Sequence, residues 1–570
     1  MKKLNNSLVY NVPTIHSIAE LLDNSVEEYA DRTAFTLKEG NIMRDITYSQ
    51  MYDDVRAFAA YLCSQGLAGK KIVITGKNCY EWAITYLAVC WGVGIIVPID
   101  RELSAEELGG LIERSKAACI VHTDDITEKA IAACEGKDIL RIPASTVVDC
   151  IALGNTLRRH GRSGELRYIP DPRELGILLF TSGTTGVAKG VMLSQYNIAS
   201  NIMNVTRRIR VFPGDRALSI LPLHHTYECT VGFLTILYSG ASICYNKNLR
   251  TLQNDLKLYR PTVLVAVPLV LETFHSKIMK TYEKIKGGRA ILNLSRGISG
   301  ISGREKSPIA KKLFSAVHEV FGGKLRAFVC GAAAVDPRVF SDFEKFGFTV
   351  YIGYGLTETA PVCIVHNDNY RAADDTGLPL IGVKIRLDNV NENGIGELCV
   401  KGPNVMLGYY EDPAATAEVI DDDGWFHTGD LASVNEHGAY KIVGRCKSMI
   451  VTNNGKKIFP EEVEHYIDQS DLVKESLVYG RDQDGDTVVS AIVHPDYEAV
   501  DALLAKDGVT PDSTEYAAAV KKVIDKVVSD ACKNLPYFKA VRRVFIRPEE
   551  FIKTTTRKIR RFDPENLKEY

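Results

Sequence analysis

The 570-residue chain reads as an α/β protein with a second, smaller unit. Three observations give that class. Short apolar runs rich in Val and Ile alternate with helix-length stretches through about the first 350 residues, the pattern of parallel strands between helices. Beyond about residue 375 the texture changes to short strands between glycine turns. After Gly444-Arg445-Cys446-Lys447 strand and helix patterns resume, so a domain boundary is expected near 447, giving units 1–446 and 447–570.

The elements follow in order. Residues 82–99 are uncharged throughout, but Gly92, Gly94 and Pro98 interrupt them. A membrane span needs about 20 predominantly apolar residues, so this stretch reads as a buried helix (82–90), a glycine turn and a strand (95–99). Further strands are expected at 71–74, 118–121, 176–180, 218–221, 262–265, 327–330 and 348–352. Gly287-Gly288 and the basic stretch 297–306 read as a loop-rich insertion. Gly377-Leu378-Pro379, Asn393-Gly394 and Gly402-Pro403 are turn signals around a small β region. Pro460-Glu461-Glu462 opens a helix, since proline suits its first turn and acids complement its dipole.

Composition narrows the class. With 45% hydrophobic and 25% charged residues the chain is an ordinary globular one. A net charge of −2 gives no overall attraction to nucleic acid or anionic lipid. The thirteen cysteines include no C-x-x-C pair and no His/Cys cluster at zinc spacing. Many stand in apolar runs, which implies buried thiols in a reducing cytoplasm. Met1-Lys2-Lys3-Leu4-Asn5-Asn6 is not followed by the apolar core of a secretory signal. Peripheral contact at the inner membrane face stays open.

The run Thr181-Ser182-Gly183-Thr184-Thr185-Gly186-Val187-Ala188-Lys189-Gly190 carries the most chemistry. Glycines let backbone N–H groups close on an anion, hydroxyls add donors, and the lysine adds positive charge, which suits a polyphosphate. The spacing excludes a Walker A loop, because Lys189 is preceded by Ala188 and followed by Gly190. Tyr354-Gly355-Leu356-Thr357-Glu358-Thr359 offers a ring for a base, a hydroxyl for phosphate and a carboxylate for Mg²⁺. It reads equally as a strand-to-helix turn capped by Thr357 or Thr359. Asp430, in Thr428-Gly429-Asp430, is either a turn aspartate or a ribose acceptor with Arg445 as its partner. His224 and His225 are adjacent and do not face one ligand, so His225 suits a substrate entrance better than a metal. The basic run 553–561 alone reads as a solvated or nucleic-acid-binding tail.

Taken together and in this order, these segments resemble the adenylate-forming superfamily of acyl-CoA synthetases, luciferases and peptide-synthetase adenylation domains. The resemblance covers nearly the whole chain. It implies a large N-terminal domain of two α/β subdomains and a distorted β-barrel, followed by a small mobile C-terminal α+β domain. It implies that Thr181, Ser182, Gly183, Thr184, Thr185, Gly186 and Lys189 hold the β- and γ-phosphates of ATP. Gly331-Ala332-Ala333, Tyr354 and Gly355 would flank adenine, Thr357 would contact the α-phosphate, and Glu358 would bind Mg²⁺. Asp430 and Arg445 would hold the ribose, and His225 would stand between nucleotide and acyl group. Lys447 would be the hinge, and Lys558 the lysine that bridges carboxylate and α-phosphate.

The implied reaction is ATP-dependent activation of a carboxylic acid as acyl-AMP, with CoA as acceptor. Three details resemble the long-chain fatty acid–CoA ligases: Glu228 at the end of the histidine motif, the 454–462 segment, and Thr554-Thr555-Thr556-Arg557-Lys558-Ile559. Arg557 stands where many relatives have glycine, a departure shared with long-chain types. Two rival functions are a fatty acyl-AMP ligase loading an acyl carrier protein and a catalytically silent nucleotide sensor. The sensor would be expected to have lost Lys558, Glu358 or Asp430, and all three are present.

Overall fold

The computed structural model describes residues 9–160, 167–181, 188–284, 314–452, 456–483, 486–533, 535–553 and 559–569. The expected basic insertion at 287–306 lies outside them.

Two large sheets form the body. The first runs Gly408–Tyr409, Lys189–Ser194, Leu175–Thr181, Ile95–Ile99, Lys71–Thr75, Cys119–His122 and Leu140–Pro143. The second runs Leu378–Pro379, Val362–Val365, Thr349–Gly355, Ala327–Cys330, Val263–Ala266, Arg216–Ser219, Ser242–Tyr245, Thr33–Glu39 and Ile42–Thr47. Their centres are parallel, as the alternation predicts; both edges of the second sheet and the Gly408–Tyr409 edge of the first are antiparallel, while its Leu140–Pro143 edge is parallel. Leu378–Pro379 is an edge strand of the second sheet and not only a turn, and the strand expected at 218–221 is Arg216–Ser219.

The period-2 geometry of strands explains the layering. In Lys71–Thr75, Ile72 and Ile74 face the central core, while Val73 faces an outer one with Leu108 and Ile112. In the second sheet, Leu264 and Phe328 pack outward against Phe321 and Phe343, while Val263, Val265, Ala327 and Val329 face the opposite side. Between the sheets lie helices Ile18–Tyr29, Tyr48–Ser64, Tyr80–Gly92 and Gln195–Thr206. Strands covered on both faces read as continuous apolar runs, which made them visible in the sequence. Residues 82–99 form helix Tyr80–Gly92 and strand Ile95–Ile99. Among the described residues no helix is long and apolar enough to cross a membrane. All thirteen cysteines are free thiols.

The glycine-punctuated region forms a four-stranded antiparallel sheet, Lys384–Asp388, Gly396–Lys401, Phe426–Val434 and Tyr440–Arg445. Its Leu398, Val400 and Ala432 join the core beneath the second large sheet. Among the described residues these strands pair as an open sheet, without a closed barrel.

The smaller C-terminal domain has its own core. Strands Val473–Gln483, Asp486–Pro495 and Arg543–Ile546 carry helices Pro460–Ile467, Tyr497–Leu504 and Tyr516–Cys532. Val463, Val478, Ala491, Val520 and Ile524 fill the space between them. Pro460 opens its helix with Glu461 and Glu462 in the first turn, as expected.

Candidate active site

The Gly/Thr/Lys run leaves strand Leu175–Thr181 and returns as Lys189–Ser194. Thr181 and Lys189 are register partners, and Thr181 Oγ1 donates to the Lys189 carbonyl at 3.5 Å. Ser182, Gly183, Thr184, Thr185 and Gly186 lie outside the described residues. Beyond Lys189 the strand runs into helix Gln195–Thr206, capped by Ser194 and Asn197 in a reciprocal box.

Lys189 Nζ stands 4.6 Å from the centroid of the Tyr409 ring, a cation–π contact. Tyr409 is placed there by pairing of Gly408–Tyr409 with Met192 and Val191. Its hydroxyl donates to Glu358 Oε1 at 3.0 Å. Burial, and then the Glu358 carboxylate, push this phenol up, so it stays a donor at neutral pH. Ammonium, phenol and carboxylate thus form one polar chain. Among the described residues no hydrogen bond engages Glu358 Oε2. A half-buried carboxylate with one oxygen in this state suits a hard cation such as Mg²⁺.

The turn carrying Glu358 is held from behind. Thr359 Oγ1 accepts from Leu356 N at 2.9 Å and donates to the Pro361 carbonyl at 2.8 Å. Asn201 Nδ2 donates to the Val362 carbonyl at 2.7 Å, and Asn404 Nδ2 donates to that of Thr359 at 3.1 Å. Thr359 is therefore committed to the turn, while Thr357 is left half-exposed. A side chain at Gly355 would place Cβ 1.7 Å from the Pro361 carbonyl oxygen, so only glycine fits this approach.

The other end is built across two sheets. Tyr354 Oη donates to Asp430 Oδ2 at 2.5 Å, and Arg445 Nε lies 2.9 Å from Asp430 Oδ1. Asp430 and Arg445 are opposite one another in neighbouring antiparallel strands. Asp430 is buried and Arg445 exposed. Thr428 Oγ1 receives Asp430 N at 3.0 Å and donates to the Leu398 carbonyl at 2.7 Å, which shapes the turn. Burial and the Asp430 charge raise the Tyr354 phenol well above its usual range.

Gly331-Ala332-Ala333 follows strand Ala327–Cys330. Ala332 has φ +70°, a left-handed conformation costly for a residue with Cβ and commonest where function demands it. Ala332 and Ala333 are exposed. Gly331 lies against the Tyr227 ring, whose hydroxyl donates to the Val329 carbonyl at 2.9 Å.

His225 is half-buried, with its ring 4.1 Å from that of His224. His224 Nε2 is 3.6 Å from Asp100 Oδ2. Burial first, then His225 and Arg101, hold His224 well below its usual pKa, so its imidazole is neutral. The pair leads into a π-helical turn, Glu228–Leu234. Glu228 is buried, accepts from Ser219 Oγ at 2.6 Å, and is pushed up to about 8 by burial.

Lys447 is exposed in the turn after Tyr440–Arg445. Lys558 lies outside the described residues. The chain on either side is fixed: Lys553 and Ile559 form an antiparallel bridge, and Arg561 pairs with both carboxylate oxygens of Glu464, at 2.7 and 2.6 Å. The sequence reading missed Tyr409, Asn201 and Asn404. Only the aromatic doublet after Gly408 hinted at the first, and nothing marked the two asparagines.

The AMP-binding enzyme family matches residues 22–410, and the AMP-binding enzyme C-terminal domain matches 447–562. The chain belongs to the AMP-binding enzyme family and is an AMP-forming acid–CoA ligase. It is 29% identical over 547 residues to long-chain-fatty-acid–CoA ligase 5 of Rattus norvegicus, covering 89% of this chain and 80% of that one. It is 27% identical over 586 residues to long-chain-fatty-acid–CoA ligase FadD15 of Mycobacterium bovis, covering 97% and 95%. The crystal structure of ATP-bound MatB from Rhodopseudomonas palustris superposes with a TM-score of 0.72 at 25% identity, covering 95% and 97%. An o-succinylbenzoate CoA synthetase from Bacillus subtilis, bound to its acyl-adenylate, shares the fold with a TM-score of 0.73 at 18% identity, covering 96% and 98%.

Proposed function

We propose that the protein activates a medium- to long-chain fatty acid as its acyl-adenylate and passes the acyl group to CoA. The observation that carries the nucleotide part is the pair of polar chains, Lys189–Tyr409–Glu358 and Tyr354–Asp430–Arg445, with Tyr354 and Glu358 only four residues apart on one segment. An apolar acid is supported by the names of the relatives above.

On this reading Asp430 and Arg445 orient the ribose, with the Tyr354 ring and the 331–333 backbone beside the base. Thr181 to Gly186 and Lys189 receive the β- and γ-phosphates, and Thr357 holds the α-phosphate. Glu358 would hold Mg²⁺, which when bound would supply charge neutralisation for the departing pyrophosphate. Lys558 brings carboxylate and α-phosphate together. The carboxylate oxygen attacks the α-phosphorus, the bond to pyrophosphate breaks, and a CoA thiol later displaces AMP. Positioning and electrostatics account for the rate, without a covalent enzyme intermediate. Residues 1–446 and 447–570 act as two bodies hinged at Lys447, and rotation exchanges Lys558 for the 451–457 segment between half-reactions.

Acid-dependent ATP–pyrophosphate exchange, measured from acetate to oleate and repeated with CoA, tests this reading. Exchange rising with chain length, and acyl-CoA formation on adding CoA, is expected. Exchange with o-succinylbenzoate or amino acids alone would overturn the fatty-acid assignment. Product formation only on an acyl carrier protein would overturn CoA as acceptor. Lys558→Ala should lose adenylation and still convert supplied acyl-adenylate and CoA.

A further inference from the structure

The four-stranded sheet brings together three donors that the sequence keeps far apart. Asp388, Cys399 and His427 lie on neighbouring strands, with one donor atom of each within 4.8 Å of the others. Cys399 is the register partner of His427 and of Arg386, two residues before Asp388. Cys399 Sγ is 3.5 Å from Asp388 Oδ2 and 3.4 Å from His427 Nδ1. Metal–sulfur bonds of about 2.3 Å and metal–nitrogen or –oxygen bonds of about 2.0–2.1 Å place tetrahedral ligands about 3.3–3.6 Å apart. The spacing across the sulfur matches that geometry.

The surroundings are those of a metal ligand set. His427 Nε2 lies 3.5 Å from Asp421 Oδ2, so the imidazole is backed by a carboxylate on the side away from the thiol. Glu397 Oε2 lies 3.4 Å from His427 Nδ1. Arg386 fixes the orientation of the acids, with Nε 2.9 Å from Asp388 Oδ1 and Nη2 3.1 Å from Asp421 Oδ2, while its plane stacks 4.4 Å from the Trp425 ring. Asp388 and Asp421 thus share one guanidinium, and Glu397 adds a third carboxylate beside His427, which leaves an excess of negative charge for a divalent ion to offset.

We propose that Asp388, Cys399 and His427 form a binding site for a borderline-soft divalent transition metal of the Zn²⁺ class, with a fourth position open to water or Glu397. Thiolate and imidazole disfavour Mg²⁺ and Ca²⁺, which take oxygen ligands. On binding, the Cys399 S–H bond breaks, its proton goes to solvent and the sulfur lone pair bonds to the metal, with no change of oxidation state. The site braces the back of the 428–430 turn. His427 is its neighbour in sequence, and Glu397 Oε1 accepts Gly429 N at 3.1 Å. The inference is independent of the nucleotide reading, since neither ATP nor acid takes part in it.

The test is a titration of the full chain, stripped with chelator, with Co²⁺ and then Zn²⁺, without Mg²⁺ or nucleotide. One equivalent of Co²⁺ should raise a thiolate-to-metal charge-transfer band that Zn²⁺ bleaches, and Zn²⁺ should raise the thermal midpoint by linkage. Cys399→Ser should lose both responses. Asp388→Asn, which keeps the thiol, should bind Co²⁺ at least tenfold more weakly and serves if the serine variant does not fold. A band that survives in Cys399→Ser, unchanged affinity in Asp388→Asn, or no saturable one-equivalent band in the parent protein at micromolar Co²⁺ would overturn the proposal.

Discussion

The two ends of the candidate nucleotide cleft are built in different ways. At the ribose end, Asp430 and Arg445 face each other by strand register, and Tyr354 closes the trio from a second sheet. At the phosphate end, Lys189, Tyr409 and Glu358 come from a strand start, a two-residue edge strand and a short helical turn. Register places the first set wherever the sheet forms. The second depends on turn chemistry, on asparagines buried behind it, and on Tyr409 bridging two segments. One end is preformed by the scaffold, and the other needs added props.

Breaking the preformed end should cost most. Asp430→Ala removes the carboxylate proposed to hold the ribose and with it the acceptor of Tyr354, a charged hydrogen bond worth about 1.5–3 kcal/mol, whereas the exposed Arg445 pair adds about 1 kcal/mol or less. The second-order rate of ATP–pyrophosphate exchange should fall about a hundredfold or more, with circular dichroism unchanged. A loss under tenfold would mean that the carboxylate is structural and not a ligand. Glu358→Gln keeps an acceptor for Tyr409 and removes only the charge. About tenfold more Mg²⁺ should then be needed for half-maximal exchange, and an unchanged Mg²⁺ curve would remove Glu358 from that role. Tyr409→Phe leaves the ring under Lys189 and deletes one hydrogen bond, for a loss of about two- to tenfold. A larger loss would make the phenol more than a strut.

The last effect is on stability and not on catalysis. Glu228 is pushed from its ordinary 4.5 to about 8 by burial, so the folded chain keeps this proton over a range where the unfolded chain releases it. This group's contribution to stability is therefore greatest below pH 4.5, declines through the window to pH 8 and is flat above it, by at most about 5 kcal/mol. Glu228→Gln mimics the protonated form and removes that slope. Its thermal midpoint should exceed that of the parent increasingly from pH 5 to pH 8. A constant difference would show that Glu228 is ionised in the fold.

The strands of the body were legible because burial on both faces leaves uninterrupted apolar runs, as at Lys71–Thr75 and Ala327–Cys330. The antiparallel edges were not, since edge pairing depends on register and not on composition. Asp430 and Arg445 were found through their motifs, but their opposition across a strand pair is a fact of register. Tyr409 stands 51 residues after Glu358, and no local pattern announces a side chain that bridges strands so far apart. The same reason hides Asp388, Cys399 and His427. A search for zinc spacing looks along the chain, whereas these donors are neighbours across it.

One helix links the two domains mechanically. Glu461 of Pro460–Ile467 accepts from Ser448 at 2.8 Å and lies 3.0 Å from where a Cβ on Gly444 would stand, one residue before Arg445. One turn further along the same helix, Glu464 grips Arg561, three residues past Lys558. Its first turn touches the end of strand Tyr440–Arg445 and its second turn holds Arg561, so the helix is in contact with both. Neither Glu464 nor Arg561 can be exchanged alone without leaving the other's charge buried and unpaired.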